Sequence, residues 1–108
     1  MRMFEIIEGK RNVNNVEITT WKREIFSANI LEVEVGTTGF CGGDTGHGGR
    51  TYFRLADLGS TDMNVSISNY QDNPSVTIEL GGDTELETFI DALKFAVQVL
   101  ESEKNAND

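Results

Sequence analysis

The clearest pattern in the sequence is the alternation of apolar and polar residues in four segments in the middle of the chain. Alternation with a period of two is typical of half-buried β-strands, whose side chains point to opposite faces in turn. The pattern predicts strands at Asn29–Val35, Arg50–Leu58, Met63–Tyr70 and Ser75–Leu80.

Two earlier segments predict a hairpin at the start of the chain. Arg2–Glu8 and Val13–Trp21 flank the polar stretch Gly9–Asn12, which we expect to form the turn. Phe4 and Ile6 then lie on one side of the first strand.

The registers of the four central strands can be tested against each other, because directly opposed residues of antiparallel strands share a face. One set of pairings brings the apolar residues of all four strands to a single face, which predicts an antiparallel meander. The set pairs Leu31 with Leu55, Val33 with Phe53, Val35 with Thr51, Leu55 with Val65, Phe53 with Ile67, Ile67 with Val76, Val65 with Ile78 and Met63 with Leu80.

A helical pattern follows the strands from about Thr84 to Glu103. Thr84 and Glu87 have the spacing of a capping box, which satisfies free amide groups at a helix start. The apolar stripe expected to cover the sheet consists of Leu86, Phe89, Ile90, Leu93, Ala96, Val97 and Leu100. The sequence therefore predicts an α+β fold, an antiparallel β-meander covered on one face by a long C-terminal helix. We expect one domain over 1–103 and a disordered polar tail over 104–108.

A second apolar group on the helix, Ala92, Phe95 and Val99, adjoins the first stripe. The combined apolar arc exceeds the width of about 100° that one contact needs. We therefore expect the helix to touch something besides the sheet. The candidates are the N-terminal hairpin and a second copy of the chain, in a homodimer or higher oligomer formed through Phe95 and Val99.

Composition and charge narrow the function classes. The 108 residues carry 18 acidic against 9 Lys and Arg residues, a net charge of −9, which disfavours direct binding to nucleic acid. No apolar run is long enough to cross a bilayer, so no membrane association is expected. The single cysteine, Cys41, cannot form an internal disulfide, which fits a reducing compartment, and we expect a cytoplasmic protein.

The stretch from Thr37 to Arg50 is the best candidate for a binding site, because seven of the eleven glycines lie between Gly36 and Arg50. Glycines permit positive φ and let backbone amides converge on phosphate or carboxylate groups. The stretch lacks the spacing of a P-loop or a dinucleotide fingerprint. The predicted ligand-binding residues here are Thr38, Gly42, Gly43, Asp44, Thr45, Gly46, His47, Gly48, Gly49 and Arg50.

Arg50, Tyr52 and Arg54 alternate on the strand after the loop, on the face opposite the apolar one. A guanidinium can hold a phosphate, and arginine or tyrosine can stack on a base, so Tyr52 and Arg54 complete the predicted binding site. An alternative remains open. The predicted register sets Glu32 opposite Arg54, so this arginine is equally suited to a cross-strand ion pair on a solvated face.

Cys41, Asp44 and His47 recur at three-residue intervals in the loop. A metal site or a nucleophile with its base uses such residue types. With one Cys and one His in the chain, a closed metal site would need carboxylates to complete it, and we expect neither a metal nor a cofactor. A small hydrolase using these three residues stays an alternative, and Asp44 and His47 are also suited to bracing the loop.

The runs Asn29–Gly39 and Gly42–Thr51, with Gly82–Asp83 and Glu85–Glu87, resemble short uncharacterised proteins carried by phages and mobile elements of Gram-positive bacteria. The resemblance implies work against host defence. Two mechanisms match the residues. The first is a non-enzymatic sponge that holds a nucleotide-type immune signal in the loop, and the alternative is an acidic inhibitor, similar in style to anti-CRISPR proteins, that blocks a nucleic-acid-handling complex.

Overall fold

The computed structural model describes residues 2–3, 5–43 and 45–105, with side chains described from Glu5 onward. The described elements are β1 (Arg2–Met3), β2 (Ile7–Val13), β3 (Val16–Phe26), β4 (Ile30–Thr37), β5 (Thr51–Gly59), β6 (Met63–Tyr70), β7 (Asn73–Leu80) and α1 (Asp83–Glu103). None of the described helical segments combines the length and the apolarity required to span a membrane.

The main sheet is antiparallel and is built around β3 and β4. β4 pairs with β3 on one side and with β5 on the other, while β1 and β2 pair with successive parts of the outer edge of β3. Helix α1 packs against one face of this sheet. The predicted α+β class, antiparallel strands covered on one face by a long C-terminal helix, is confirmed.

The register of β4 with β5 differs from the prediction by two residues. Val33 pairs with Leu55 and Val35 with Phe53, because β4 continues to Thr37 and pairs there with Thr51. A shift of two residues leaves every side chain on its predicted face. The predicted pairing was therefore wrong in position but right about which residues face the core.

The N-terminal hairpin turns later than predicted. Asn14 and Asn15 have φ values of 50° and 67°, as a two-residue turn of the type that joins twisted strands requires. Val13 pairs with Val16, and the stretch Gly9–Asn12 that we expected to turn lies within β2. Phe4 lies outside the described residues.

Strands β6 and β7 form a separate two-stranded sheet, which we call the arm (63–80). Its register matches the prediction, with Met63 opposite Leu80 and Ile67 opposite Val76. The predicted pairing of β5 with β6 was wrong: β6 pairs only with β7. The four strands therefore do not form one continuous meander.

The base of the arm is fastened to the body of the protein. Thr61 donates a hydrogen bond to the carbonyl oxygen of Ile30 and accepts one from Asn29, so the chain leaves the sheet at this point. At the other end, Gly81 donates its amide to the carbonyl of Asp62. The amide of Asp62 in turn donates to the carboxylate of Glu85 in the helix. These bonds hold both strands of the arm where it meets α1.

The helix begins without the predicted capping box. Gly82 precedes it with φ of 120°, and its carbonyl accepts the amide of Leu86. Thr84 donates to the neighbouring Glu85 carboxylate instead of capping with Glu87. The amide of Asp62 and the Thr84 hydroxyl lower the pKa of Glu85. The first turn is thus stabilised by a carboxylate one position after Thr84.

The helix faces differ in part from the prediction, although Ala96 and Leu100 of the predicted stripe do lie in or against the core. Phe95 and Ala92 lie in the core and Val99 packs against it, so the group expected to contact a partner contacts the sheet. The core side chains are Ile25, Val33, Val35, Ala92, Phe95 and Ala96, with Trp21, Leu55, Val99 and Leu100 packed around them. The residues Leu86, Ile90, Leu93 and Val97, expected to cover the sheet, are between 40% and 58% exposed. We call these four residues the exposed stripe.

Candidate functional site

The glycine-rich loop is closed at its neck by hydrogen bonds between its two ends. Thr38 donates its amide to the carbonyl of Arg50, and Arg50 donates its amide to the hydroxyl of Thr38, each over 3.0 Å. The Thr37 hydroxyl also donates to the Arg50 carbonyl and lies 3.0 Å from the Thr51 hydroxyl. The threonines predicted to contact a ligand therefore also shape the loop.

The glycines adopt the backbone conformations that the sequence predicts. Gly39, Gly42, Gly46 and Gly48 have φ between 71° and 82°. A Cβ atom on Gly43 would lie 2.7 Å from the nitrogen of Gly48, so the two arms of the loop touch backbone to backbone. Larger residues at these positions are incompatible with this loop.

The loop also docks on the end of the helix. Phe40 donates its amide to the carbonyl of Lys104 over 2.7 Å, which places the first residue of the predicted tail against the loop. A cavity of about 520 Å³ lies between the two. It is lined by Thr37, Gly39, Phe40, Cys41, Gly42, Gly43, His47, Gly49, Thr51, Leu100 and Lys104. We call it the loop cavity.

Unpaired donors surround the loop cavity. None of the hydrogen bonds among the described residues uses the amide of Gly42, Gly43 or Gly48. Within the same part of the chain, the side chains of His47 and Lys104 enter no hydrogen bond or ion pair. Converging amides beside a cation form the kind of concavity that binds anions.

The side chain of Arg50 stabilises the backbone of the loop. Its Nη1 donates to the carbonyl of Gly48 over 2.9 Å, and its Nε is buried with no partner among the described residues. Thr45 and Gly46 lie in the exposed tip and do not line the cavity. Asp44 lies outside the described residues.

Tyr52 and Arg54 lie on the other face of the sheet, away from the loop cavity. Both are in β5, where they alternate with Thr51, which lines the cavity. Arg54 donates to the carboxylates of Glu32 and Glu34, as the ion-pair alternative predicts, with Glu34 rather than Glu32 directly opposite it. The structure therefore divides the predicted site between two faces.

Glu34 is the centre of a charged network on that second face. Arg11 donates two hydrogen bonds of 2.9 and 2.6 Å to its carboxylate, and Thr20 donates a third of 2.7 Å. The hydrogen bonds from Arg11, and then that from Thr20, hold the pKa of Glu34 at about 2, against an ordinary value of 4.5. Arg11 also lies over the ring of Tyr52, 5.1 Å from its centroid. We call Arg11, Glu32, Glu34 and Arg54 the charged network.

The charged network forms because the sheet bends sharply at two glycines. Gly9 and Gly36 flank Thr20 in the neighbouring strands, and a Cβ atom on Gly36 would lie 2.2 Å from the carbonyl oxygen of Thr19. The bend brings β2 close to β5, although two strands separate them. Arg11 of β2 can thereby reach Glu34 in β4 and Tyr52 in β5.

Cys41 and His47 both line the loop cavity. The Cys41 thiol lies 3.5 Å from the Thr38 hydroxyl and 3.5 Å from the Gly39 carbonyl, so its one hydrogen has either oxygen as an acceptor. Among the described residues, no three His, Cys, Asp or Glu side chains cluster closely enough to hold a metal ion.

Of the cavity residues, only Gly42, Gly43, His47 and Gly49 were among the predicted ligand-binding residues. The residues missed within or beside the loop are Thr37, Gly39, Phe40, Cys41 and Thr51, and those missed on the helix side are Leu100 and Lys104. Lys104 falls in the segment predicted as a disordered tail, and no local pattern indicates that a loop sixty residues earlier meets it. Arg11 of the charged network was also missed, because it lies in the stretch expected to turn. Its position between polar residues carries no signal of the sheet bend.

Protein-family models, curated proteins and solved structures were all compared with this chain, and none of them matches it. The site must therefore be interpreted from its own chemistry.

Proposed function

We propose that the protein binds a small phosphate-containing ligand of the nucleotide class in the loop cavity and holds it without chemical change. The observation that carries the proposal is a cavity of about 520 Å³ lined by Gly42, Gly43, His47 and Lys104. Among the described residues, the two glycine amides and the two side chains are used by no hydrogen bond. Small-molecule sites usually have volumes of roughly 300–1,000 Å³.

The cavity offers different surfaces to different parts of such a ligand. Gly42 and Gly43 present amides and Lys104 an ammonium group, which suit a phosphate. Phe40 is 59% exposed beside Leu100, which gives a base an apolar surface to stack on. The arrangement favours a ligand with both an anionic and a flat apolar part.

The end of helix α1 further restricts the ligand. The carbonyl groups at a helix C-terminus carry partial negative charge, which disfavours a bare anion at that wall. A ribose can donate its hydroxyls to such carbonyls while its phosphate faces the amides and Lys104. The geometry therefore supports a nucleotide better than inorganic phosphate.

In this proposal Arg50 shapes the loop and Tyr52 and Arg54 belong to the charged network, not to the ligand site. The biological role is that of a sponge, which sequesters a nucleotide-type immune signal during phage counter-defence. The resemblance to phage-borne proteins supports the setting, and the cavity supports the binding. A cyclic nucleotide is the first ligand class to test.

The test is thermal denaturation with a panel of cyclic mononucleotides, cyclic dinucleotides, ADP-ribose compounds and inorganic phosphate. At a ligand concentration roughly 100 times its Kd, a bound nucleotide should raise Tm by about 10 °C. Inorganic phosphate should give no comparable shift. Lys104→Ala should remove the shift, whereas Lys10→Ala, which removes the same charge from exposed strand β2, should retain it.

The bound ligand should be recovered intact when the complex is denatured and the released molecule is analysed by mass spectrometry. An altered ligand would identify a hydrolase, and Cys41→Ser or His47→Ala should then abolish its formation. If no nucleotide shifts Tm, or if Lys104→Ala leaves the shift unchanged, the proposal is wrong.

An acidic inhibitor of a nucleic-acid-handling complex is the second candidate. The observation that favours it is the charged network, which uses Arg11 and Arg54 within the protein. Because the network contains two arginines and two glutamates, it is neutral, and the rest of the chain carries the whole net charge of −9. Such an inhibitor should bind a basic partner with an affinity that falls steeply with salt, and it should show no nucleotide shift.

A further inference from the structure

The exposed stripe of helix α1 follows a coiled-coil pattern. Leu86, Ile90, Leu93 and Val97 are separated by four, three and four residues, which is the spacing of heptad positions d, a, d and a. β-Branched residues occupy the a positions and leucines the d positions, the combination that favours two helices in contact. A soluble chain seldom leaves such a stripe uncovered.

The two flanks of the stripe differ in their surroundings. On one flank, at the g positions, Phe89 is half-buried and Ala96 is buried against the body of the protein. On the other flank, at the e positions, Glu87, Lys94 and Glu101 are exposed. A parallel pair of helices brings e residues against g residues on both flanks, whereas an antiparallel pair brings e against e on one flank and g against g on the other. Only the antiparallel arrangement places the two free flanks against each other.

We propose that two copies of the chain form a two-fold symmetric dimer in which the exposed stripes pack antiparallel. Leu86 then lies opposite the partner's Val97, and Ile90 lies opposite the partner's Leu93. The four exposed residues are all used, and Leu100, which already packs against the core, is not required.

The charges select this register over the next one. With Ile90 opposite the partner's Leu93, Lys94 lies beside the partner's Glu87, and symmetry makes two such pairs. A shift by one heptad instead brings Glu87 beside the partner's Glu101 and Lys94 beside the partner's Lys94. Like charges at these flanks oppose association, so the alternative register is disfavoured.

The arm supplies the rest of the interface. Val65, Ile67 and Val76 on one face of it are between 52% and 82% exposed, although an isolated two-stranded hairpin is only marginally stable in water. The arm joins the helix at Gly81 and Gly82, beside the start of the stripe. In the antiparallel dimer the base of the arm therefore lies near the partner's Val97, which is opposite Leu86. Strands of this length span about 27 Å, longer than the roughly 17 Å of helix from Leu86 to Val97.

The available area matches what a stable dimer needs. With roughly 120 Å² of side-chain surface for each fully exposed residue of this size, the stripe and the arm expose about 470 Å² of apolar surface per copy. Two copies therefore contribute about 940 Å². A homodimer interface of standard size buries roughly 1,600 Å², of which about 65% is apolar. The stripe and the arm together account for nearly all of that apolar part.

Light scattering coupled to size-exclusion chromatography tests the proposal on the 108-residue chain. The wild-type protein should elute at twice the monomer mass of 12.0 kDa. Leu93→Glu should weaken self-association by about 100-fold or more, because it places a charge at the centre of the stripe. Ile7→Glu changes a residue of similar exposure in strand β2 and should leave the dimer intact. A monomeric wild type, or a Leu93→Glu protein that remains dimeric, overturns the proposal.

A charge exchange tests the register separately from the fold. Lys94→Glu alone should weaken the dimer by about tenfold at low salt, since it sets like charges beside each other. Adding Glu87→Lys to the same chain should restore the wild-type affinity. If the double variant associates no better than the single one, the antiparallel register is wrong. The interface lies apart from the loop cavity, so Leu93→Glu should still bind nucleotide if that proposal holds.

Discussion

Two hairpins of this chain carry the same alternation of apolar and polar residues but have opposite environments. In β4, paired with β5, Leu31, Val33 and Val35 are fully buried under the helix. In the arm, Ile67 is 82% exposed and Val76 is 64% exposed. Alternation therefore identifies an apolar face without determining whether the same chain covers it.

The path of the chain explains the difference. Thr61 is held by Asn29 and by the carbonyl of Ile30, so the strand that follows starts away from the sheet edge. Helix α1 returns over β3 and β4 and leaves the arm uncovered. The apolar face of the arm is consequently available to a partner, whereas that of β4 is part of the core.

The largest expected effect comes from truncating an isoleucine to alanine, once in the core of the main sheet and once in the arm. Ile25→Ala creates a cavity beneath the helix and should lower the free energy of unfolding by about 4 kcal/mol. Ile67→Ala in the exposed arm should lower it by less than about 0.5 kcal/mol in a monomeric Leu93→Glu background. Chemical denaturation followed by circular dichroism measures both values.

Equal losses in the two variants would contradict the comparison, because they would mean that the arm is covered within one chain. In the proposed wild-type dimer, by contrast, Ile67→Ala should reduce self-association. The two backgrounds thus separate folding from association.

A second pair of variants tests whether the main sheet needs the close backbone approach at Gly36 in order to bend. Gly36→Ala places a methyl group 2.2 Å from the Thr19 carbonyl oxygen and should cost about 3 kcal/mol of stability. Gly59→Ala, at the end of the same sheet, meets nothing nearer than 3.8 Å and should be almost neutral. A thermal melt of each variant gives the comparison, and a stable Gly36→Ala protein would show that the sheet can flatten.

The sequence predicts the local elements well because their signals are local. The central strand segments, the register of the arm and the extent of the helix follow from periodicity within short windows, whereas the turn of the N-terminal hairpin does not. The face of the helix that contacts the sheet cannot be predicted from such short windows. Ala92 and Phe95 lie in the core whereas Leu86 and Leu93 are exposed, because tertiary packing decides which apolar face of the helix meets the sheet.

The candidate site was predictable only in part for a related reason. The glycine loop and its positive φ values follow from composition, but the second wall of the loop cavity depends on where the helix ends. Lys104 meets Phe40 through tertiary packing that no local pattern records. The pleat of β5, in contrast, already separates Tyr52 from Thr51, so the opposite placement of the tyrosine follows from the strand itself.

The smallest of the three stability effects concerns Glu34, whose carboxylate accepts hydrogen bonds from Arg11 of β2 and Arg54 of β5. Glu34→Gln keeps the shape of the side chain but weakens its bonds to Arg11 and Arg54, and should cost about 2 kcal/mol at neutral pH. Its pKa is about 2 in the folded protein against an ordinary 4.5. The stabilisation from the charged form is therefore complete above pH 4.5 and is lost as the pH falls towards 2.

The difference in Tm between wild type and Glu34→Gln should accordingly be constant from neutral pH to about pH 5 and should narrow below pH 4.5. Glu79→Gln changes an exposed glutamate of the arm that forms no ion pair among the described residues, and it should show no such pH dependence. A gap between wild type and Glu34→Gln that stays constant down to pH 2 would mean that the charge of Glu34 does not stabilise the fold. The bend would then depend on Gly9 and Gly36 alone, and the charged network would only fill the space that they create.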